Sequence, residues 1–142
     1  MMTDEQRSFL LAHRLCVVGV NRKVGPPHLS PVYYVMDGDD ILISTTHSRF
    51  KAKAIKRNPD VSICVLAEQF PFPYLLIYGT CVIEDGGAPD VMMKIGERMT
   101  GNPVPEAARP AIEQRARDEG RLVLRVTPLD FRSALPLAPP KK

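Results

Sequence analysis

The chain opens with a capping-box pattern, Thr3 followed by Gln6, ahead of Phe9, Leu10 and His13 at helical spacing, which predicts a short first helix. The period then changes to extended apolar runs. Residues 15–20 form a β-branched run, residues 21–27 supply turn residues, and a second extended run over 29–36 closes on the hairpin signal Asp37-Gly38-Asp39. With a third run over 41–46, these predict an antiparallel meander. Ser48 is placed to cap a helix reaching residue 58, where Pro59 restricts the residue before it. A fourth strand covers 61–66, and the longest, 74–84, is stopped by Asp85-Gly86-Gly87. Helical stretches over 89–99 and 105–119 follow, and Gly120 precedes a last strand over 121–126.

Six strands with few helices, and no regular β-α-β alternation, predict a mainly β fold with α elements: a small α+β barrel with helices packed at its ends. A Rossmann arrangement is disfavoured. The barrel is expected to occupy residues 1–132 as one domain, followed over 133–142 by a tail with Pro136, Pro139 and Pro140, expected to be extended or disordered. The fifth strand departs from simple alternation. Leu75, Ile77, Cys81 and Ile83 are apolar on one face, and Tyr74, Leu76, Tyr78 and Val82 are largely apolar on the other. Either a helix or another subunit covers that second face.

Composition narrows the class. With 142 residues, 44% hydrophobic and 25% charged, the chain is too apolar for a disordered one. No apolar run approaches the roughly 20 residues of a spanning helix, so no membrane association is expected. Asp4 and Glu5 stand where a secretory leader carries positive charge, and Arg14 interrupts the next apolar stretch, so a cytoplasmic protein is expected. Cys16, Cys64 and Cys81 form no CxxC pair and sit in apolar runs, as buried structural thiols do. The net charge of +3 is weak but unevenly placed, since residues 49–57 carry five cations and no acid, leaving 14 basic against 16 acidic residues elsewhere.

Most catalytic motifs are missing. His13, His28 and His47 are dispersed, and neither a GxSxG elbow nor an HExxH or His/Cys metal pattern occurs, so no metal site is expected. Residues 96–101 have phosphate-loop spacing, but Asn102 stands in place of the required lysine. The informative segment begins with the hydroxyls Ser44, Thr45 and Thr46, passes through Ser48, and places Arg49 and Lys51 in the first turn of a helix. Cations there oppose the helix dipole. Together with free backbone N–H groups they suit an anion, most simply a phosphate. A basic face for nucleic acid explains Lys53, Lys56 and Arg57 but lacks interleaved stacking aromatics, only Phe50 being present, so no nucleic acid is expected. In the strand Ser30-Pro31-Val32-Tyr33-Tyr34, Pro31 marks an edge or a ligand-facing backbone. Tyr33 and Tyr34 point to opposite faces, so one can pack the core while the other borders a groove.

At these residues the sequence resembles the pyridoxamine 5′-phosphate oxidase-like (PPOX class) family. The resemblance rests on the strand over 15–20, His28-Leu29-Ser30-Pro31-Val32-Tyr33-Tyr34, Ser44-Thr45-Thr46 followed by Arg49-x-Lys51, residues 56–62, and Tyr78-Gly79-Thr80. The Arg49-x-Lys51 spacing and the segment Gly96-Glu97-Arg98-Met99-Thr100-Gly101 are similar to its deazaflavin branch B, dependent on coenzyme F-420 (8-hydroxy-5-deazaflavin). The resemblance implies a six-stranded antiparallel split β-barrel, of the FMN-binding split-barrel type, forming a homodimer with cofactor sites at the interface. It implies that Arg49 and Lys51 grip phosphate, that Ser44, Thr45, Thr46 and Ser48 line the site, and that Ser30, Pro31, Val32 and Tyr33 run along the tricyclic ring. The loop Phe72-Pro73-Tyr74 would approach that ring, and the apolar fifth strand then favours a dimer contact. The tryptophan-bearing, arginine-rich C-terminal segment of vitamin B6 oxidases is missing, for the chain has no Trp. Phe131-Arg132 also stands near where the deazaflavin branch often carries Trp-Asp.

The expected activity is therefore hydride transfer from reduced coenzyme F-420 to an electrophilic small organic substrate. The cofactor holds the reactive carbon and the protein supplies position and electrostatics. Proton delivery falls to Tyr33, Tyr34 or solvent. The alternatives are an FMN-binding oxidoreductase on the same fold and a non-enzymatic deazaflavin carrier.

Overall fold

The structure, a computed structural model, describes residues 2–133. Apart from Ser133, the expected tail lies outside the described residues. Helix α1 (Asp4–Ala12) begins with the predicted capping box, Thr3 Oγ1 accepting from Gln6 N at 3.1 Å while Gln6 Oε1 accepts from Thr3 N at 2.9 Å. Such a cap stabilises a helix by about 1 kcal/mol. The strands are β1 (Leu15–Val20), β2 (His28–Tyr33), β3 (Val35–Asp37), β4 (Asp40–Thr46), β5 (Asp60–Leu66), β6 (Tyr74–Glu84) and β7 (Arg121–Arg132). Among them lie α2 (Phe50–Arg57), α3 (Ala88–Thr100) and α4 (Arg109–Glu119), the last preceded by a 3-10 turn over Glu106–Ala108.

All pairings are antiparallel, in the order β2-β1-β5-β6-β7-β4-β3. The sheet has seven strands, not six, because the apolar run over 29–36 divides at Tyr34. Its first half pairs with β1 and its second with β4, and these halves are the two edges of the sheet. Since one residue joins the two edges, the sheet must curl on itself, and Tyr34 fills the closure with 0% exposure. Its hydroxyl donates to the Leu10 carbonyl, and the Arg98 guanidinium lies 5.4 Å from its ring centroid. Pro31 falls on edge strand β2, where its missing N–H breaks no interior ladder.

Two apolar clusters stabilise the fold. Inside the curl, Val18, Ile41, Ile43, Ile63, Leu75, Ile77, Leu122 and Leu124 pack with Phe9 and Leu10 of α1 and Ala52, Ala54 and Ile55 of α2. Helix α3 does not pack at a barrel end as expected. It lies on the outer face, where Ala88 and Val91 meet Val35, Leu42 and Val123. Among the described residues nothing covers the rest of that face, across β1, β2, β5, β6 and the end of β7, with Val82 57%, Leu29 66% and Leu129 69% exposed. The last strand runs six residues beyond the predicted stop, to Arg132, and Phe131 packs against the core. Cys16 and Cys81 are buried as expected, and burial pushes both thiols up to about 12, whereas Cys64, expected buried as well, is only half-buried because its strand position faces outward.

Candidate cofactor site

The start of α2 is built from cations without counter-ions. Arg49 is the N-cap residue rather than a first-turn residue, and its side chain makes no capping bond. Ser48, expected at the cap, instead shares a hydrogen bond with Thr46 Oγ1 at 3.1 Å, because the chain turns tightly there with Arg49 N donating to Thr46 O at 3.1 Å. Lys51 is in the first turn and half-buried. Burial, then the charge of Arg49, lowers its pKa. Among the described residues, Arg7, Arg109, Arg115, Arg121, Arg125 and Arg132 all hold carboxylates, whereas Arg49, Lys51, Lys53 and Lys56 hold none. Two adjacent cations, one of them partly desolvated, beside a helix start form a site whose electrostatics favour an anion.

Strand β2 reaches this helix through a ring contact, His28 and Phe50 lying 4.8 Å apart. On the His28 face, two residues further on, the Ser30 hydroxyl is buried and has no hydrogen-bond partner. The Ser44 hydroxyl on β4 is buried and unpartnered too. Ordinarily a buried hydroxyl left unpaired costs about 1–3 kcal/mol. Ser30 stands level with Val18 of the inner cluster and Ser44 level with Val123 of the outer one. Thr45 and Thr46 are buried beside Ser44.

Val32, Tyr33 and Ser44 line one cavity of about 270 Å³ between β2, β4 and α3. Tyr34 does not reach it, as its phenol is inside the curl. The expected division of labour between the two tyrosines therefore holds. Sequence reasoning missed the rest of this cavity. Met92, Ile95 and Met99 come from α3, while Arg115 and Arg121 come from α4 and β7. The spacing of Met92, Ile95 and Met99 announces an apolar helix stripe, but nothing in it names the strand it faces. The two arginines have no sequence signal at all.

The loop residues Phe72 and Tyr74 lie elsewhere, in a cavity of about 690 Å³ shared with Cys64, Leu66 and Leu76 on the open sheet face. Within one chain, then, Phe72-Pro73-Tyr74 is not brought to Tyr33 and Ser44. Phe72 has φ 61°, a left-handed conformation costly for a bulky residue, while its N–H donates to Gln69 O at 2.8 Å. The carbonyl of Pro73 accepts from Ala67 N at 2.9 Å, which pins the loop to the end of β5. Residues 96–101 are the last turn of α3 and its cap, where Arg98 donates to the Leu10 and Leu11 carbonyls at 3.4 Å and Arg14 to the Arg98 carbonyl at 3.3 Å. Their role in the structure is to tie α1 to α3. Among the described residues no metal-ligating cluster occurs, and no helix is long and apolar enough to cross a membrane.

Comparison with known proteins places this architecture. No curated protein gives a significant sequence match. Among solved structures, a conserved hypothetical protein of Mycobacterium tuberculosis has a TM-score of 0.81 at 22% identity, covering 94% of this chain and 84% of that chain. A protein described as an F420 reductase has a TM-score of 0.71 at 24% identity, over 89% and 94% of the two chains. A FAD-binding protein of Mesorhizobium loti has a TM-score of 0.64 at 15% identity, over 95% and 96%. At such identities the likeness shows a shared fold. The sequence profile described as pyridoxamine 5′-phosphate oxidase matches residues 2–134, nearly the whole chain. With its curled antiparallel sheet and flanking helices, the chain belongs to the pyridoxamine 5′-phosphate oxidase family of split-barrel proteins.

Proposed function

We propose that this chain is an oxidoreductase that transfers hydride from reduced deazaflavin coenzyme F-420 to an electrophilic small organic substrate. Arg49 and Lys51 would hold the phosphate, with hydroxyls of Ser44, Thr45, Thr46 and Ser48 around it and Ser30 to Tyr33 along the ring. The reading is supported above all by the start of α2, where among the described residues Arg49 and the half-buried Lys51 hold no carboxylate; Ser30 on β2 and Ser44 on β4 also bury hydroxyls without partners. When bound, the reduced deazaflavin supplies the hydride. The chain's own residues bind, orient and exclude water. Tyr34 is removed as a proton donor, because its phenol donates to the Leu10 carbonyl and burial raises its pKa. Tyr33 and solvent remain.

The assembly is proposed as a homodimer. The open face bears Leu29, Tyr78, Val82 and Leu129 as exposed apolar side chains, and a second copy laid on it covers the Phe72–Tyr74 cavity as well. The cofactor assignment is tested by fluorescence titration of coenzyme F-420 into wild type, Arg49→Ala and Lys51→Ala. Loss of a charge-assisted contact weakens binding about tenfold or more in each variant. Unchanged affinity in both removes the phosphate assignment.

A further inference from the structure

The cavity between β2, β4, α3, α4 and β7 is lined by two arginines that the cofactor assignment does not use. Arg121 stands opposite Thr46 in the β4–β7 pairing, so it shares a sheet face with Ser44, its diagonal neighbour. Arg115 reaches the same cavity from α4. Both spend their Nε–H on a single carboxylate, Arg115 donating to Glu119 Oε1 at 3.0 Å and Arg121 to Glu119 Oε2 at 2.7 Å. The bond from Arg121, then that from Arg115, holds the Glu119 carboxyl below the usual carboxylate range. One negative charge thus faces two positive ones. The terminal guanidinium nitrogens of both arginines have no partner among the described residues. Both residues line the cavity together with Ser44, whose hydroxyl is unpartnered, and with Val32, Ile95 and Met99.

Net positive charge, free planar N–H donors and an apolar wall in about 270 Å³ define a small ligand with an anionic head and an apolar body. We infer that Arg115 and Arg121 clamp the carboxylate of a small organic acid whose apolar body lies against Val32, Ile95 and Met99, and that this acid is the substrate. The inference rests on the oxidoreductase reading for the fate of the acid, but not for its binding.

Calorimetric titration of the purified full chain with cinnamate and with its neutral counterpart cinnamamide tests it. Cinnamate binds about tenfold or more tightly than the amide, and Arg115→Gln and Arg121→Gln each reduce cinnamate affinity about tenfold while leaving amide affinity alone. Arg117→Gln, on the same helix but bonded to Gln114, leaves both unchanged. Arg115 is exposed on α4, so its variant reports even where Arg121→Gln disturbs the sheet. Equal affinity for acid and amide, no binding of cinnamate, or variants that bind cinnamate like wild type would overturn the proposal. Coenzyme F-420 titrated into the same variants keeps its affinity. A loss there would assign the arginines to the coenzyme's own acidic groups and overturn the substrate assignment. Failure of the Arg49 and Lys51 test, by contrast, leaves the cinnamate result standing.

Discussion

Removing a hydroxyl that has no partner should stabilise the ligand-free protein. Ser30 and Ser44 each bury an Oγ without a hydrogen bond, so Ser30→Ala and Ser44→Ala delete an unsatisfied group at almost no change in shape. Leaving such a group unpaired costs about 1–3 kcal/mol, and the alanine returns part of that. Against it stands the weaker strand preference of alanine, a few tenths of a kcal/mol. A net gain of about 1 kcal/mol per variant follows. For a chain of this size that raises Tm by roughly 3–4 °C. Thermal unfolding followed by circular dichroism, with the protein free of coenzyme, reads the effect directly. The same variants should then show a smaller Tm increase than wild type on addition of coenzyme F-420, because the hydroxyls are proposed to bind it. Either variant unfolding below wild type in the ligand-free state would refute the reasoning, since its hydroxyl would then be a satisfied structural group.

Other consequences concern the scaffold. Gly79 allows β6 and β7 to approach at the register shift beside Tyr78, and a Cβ there would lie 2.6 Å from the Thr127 carbonyl oxygen. Gly79→Ala should therefore cost about 1–3 kcal/mol in urea unfolding, and a loss of only a few tenths would contradict this close approach. If the proposed homodimer forms through the open face, wild type should sediment as a dimer at micromolar concentration and Val82→Asp as a monomer with its circular dichroism intact. A variant that sediments like wild type would place the contact elsewhere. Glu106 and Glu119 are held below the usual carboxylate range by hydrogen bonds from Arg109 and from Arg121, respectively, the largest causes. Depressed carboxylates stabilise the fold above the unfolded-state pKa and lose that contribution as pH falls through their folded values. Tm should thus decline on acidification, with Glu119→Gln declining less than wild type between about pH 5 and about pH 3.

The elements legible in the sequence are those fixed by local chemistry. Thr3 and Gln6 mark a capping box, Pro31 marks an edge, and the adjacent Tyr33 and Tyr34 must separate to opposite faces, and all three readings describe the folded chain. The division of one apolar run at Tyr34 was not legible, because both halves are equally extended and only closure of the sheet gives them different partners. Arg49 replaces Ser48 at the cap position for a similar reason. The turn bonded from Arg49 N to Thr46 O consumes Ser48, and no local pattern distinguishes the two registers. The candidate site divides the same way. Ser44 and Tyr33 belong to strands whose sequence carries a family resemblance, whereas Arg115 and Arg121 enter their cavity by the packing of α4 on β7. The uncovered face of β6 was legible as an excess of apolar residues. What covers it was not, since alternation reports burial and not the identity of the neighbour.

Direct titration with the two candidate cofactors tests whether the cation pair of α2 holds a deazaflavin. Purified chain, added to coenzyme F-420 and separately to FMN, is followed by the fluorescence of each cofactor. A deazaflavin site gives a saturable change with coenzyme F-420 at one equivalent per chain and markedly weaker binding of FMN. Tighter binding of FMN would assign the site to a flavin, and no saturable change with either would contradict a cofactor site at α2.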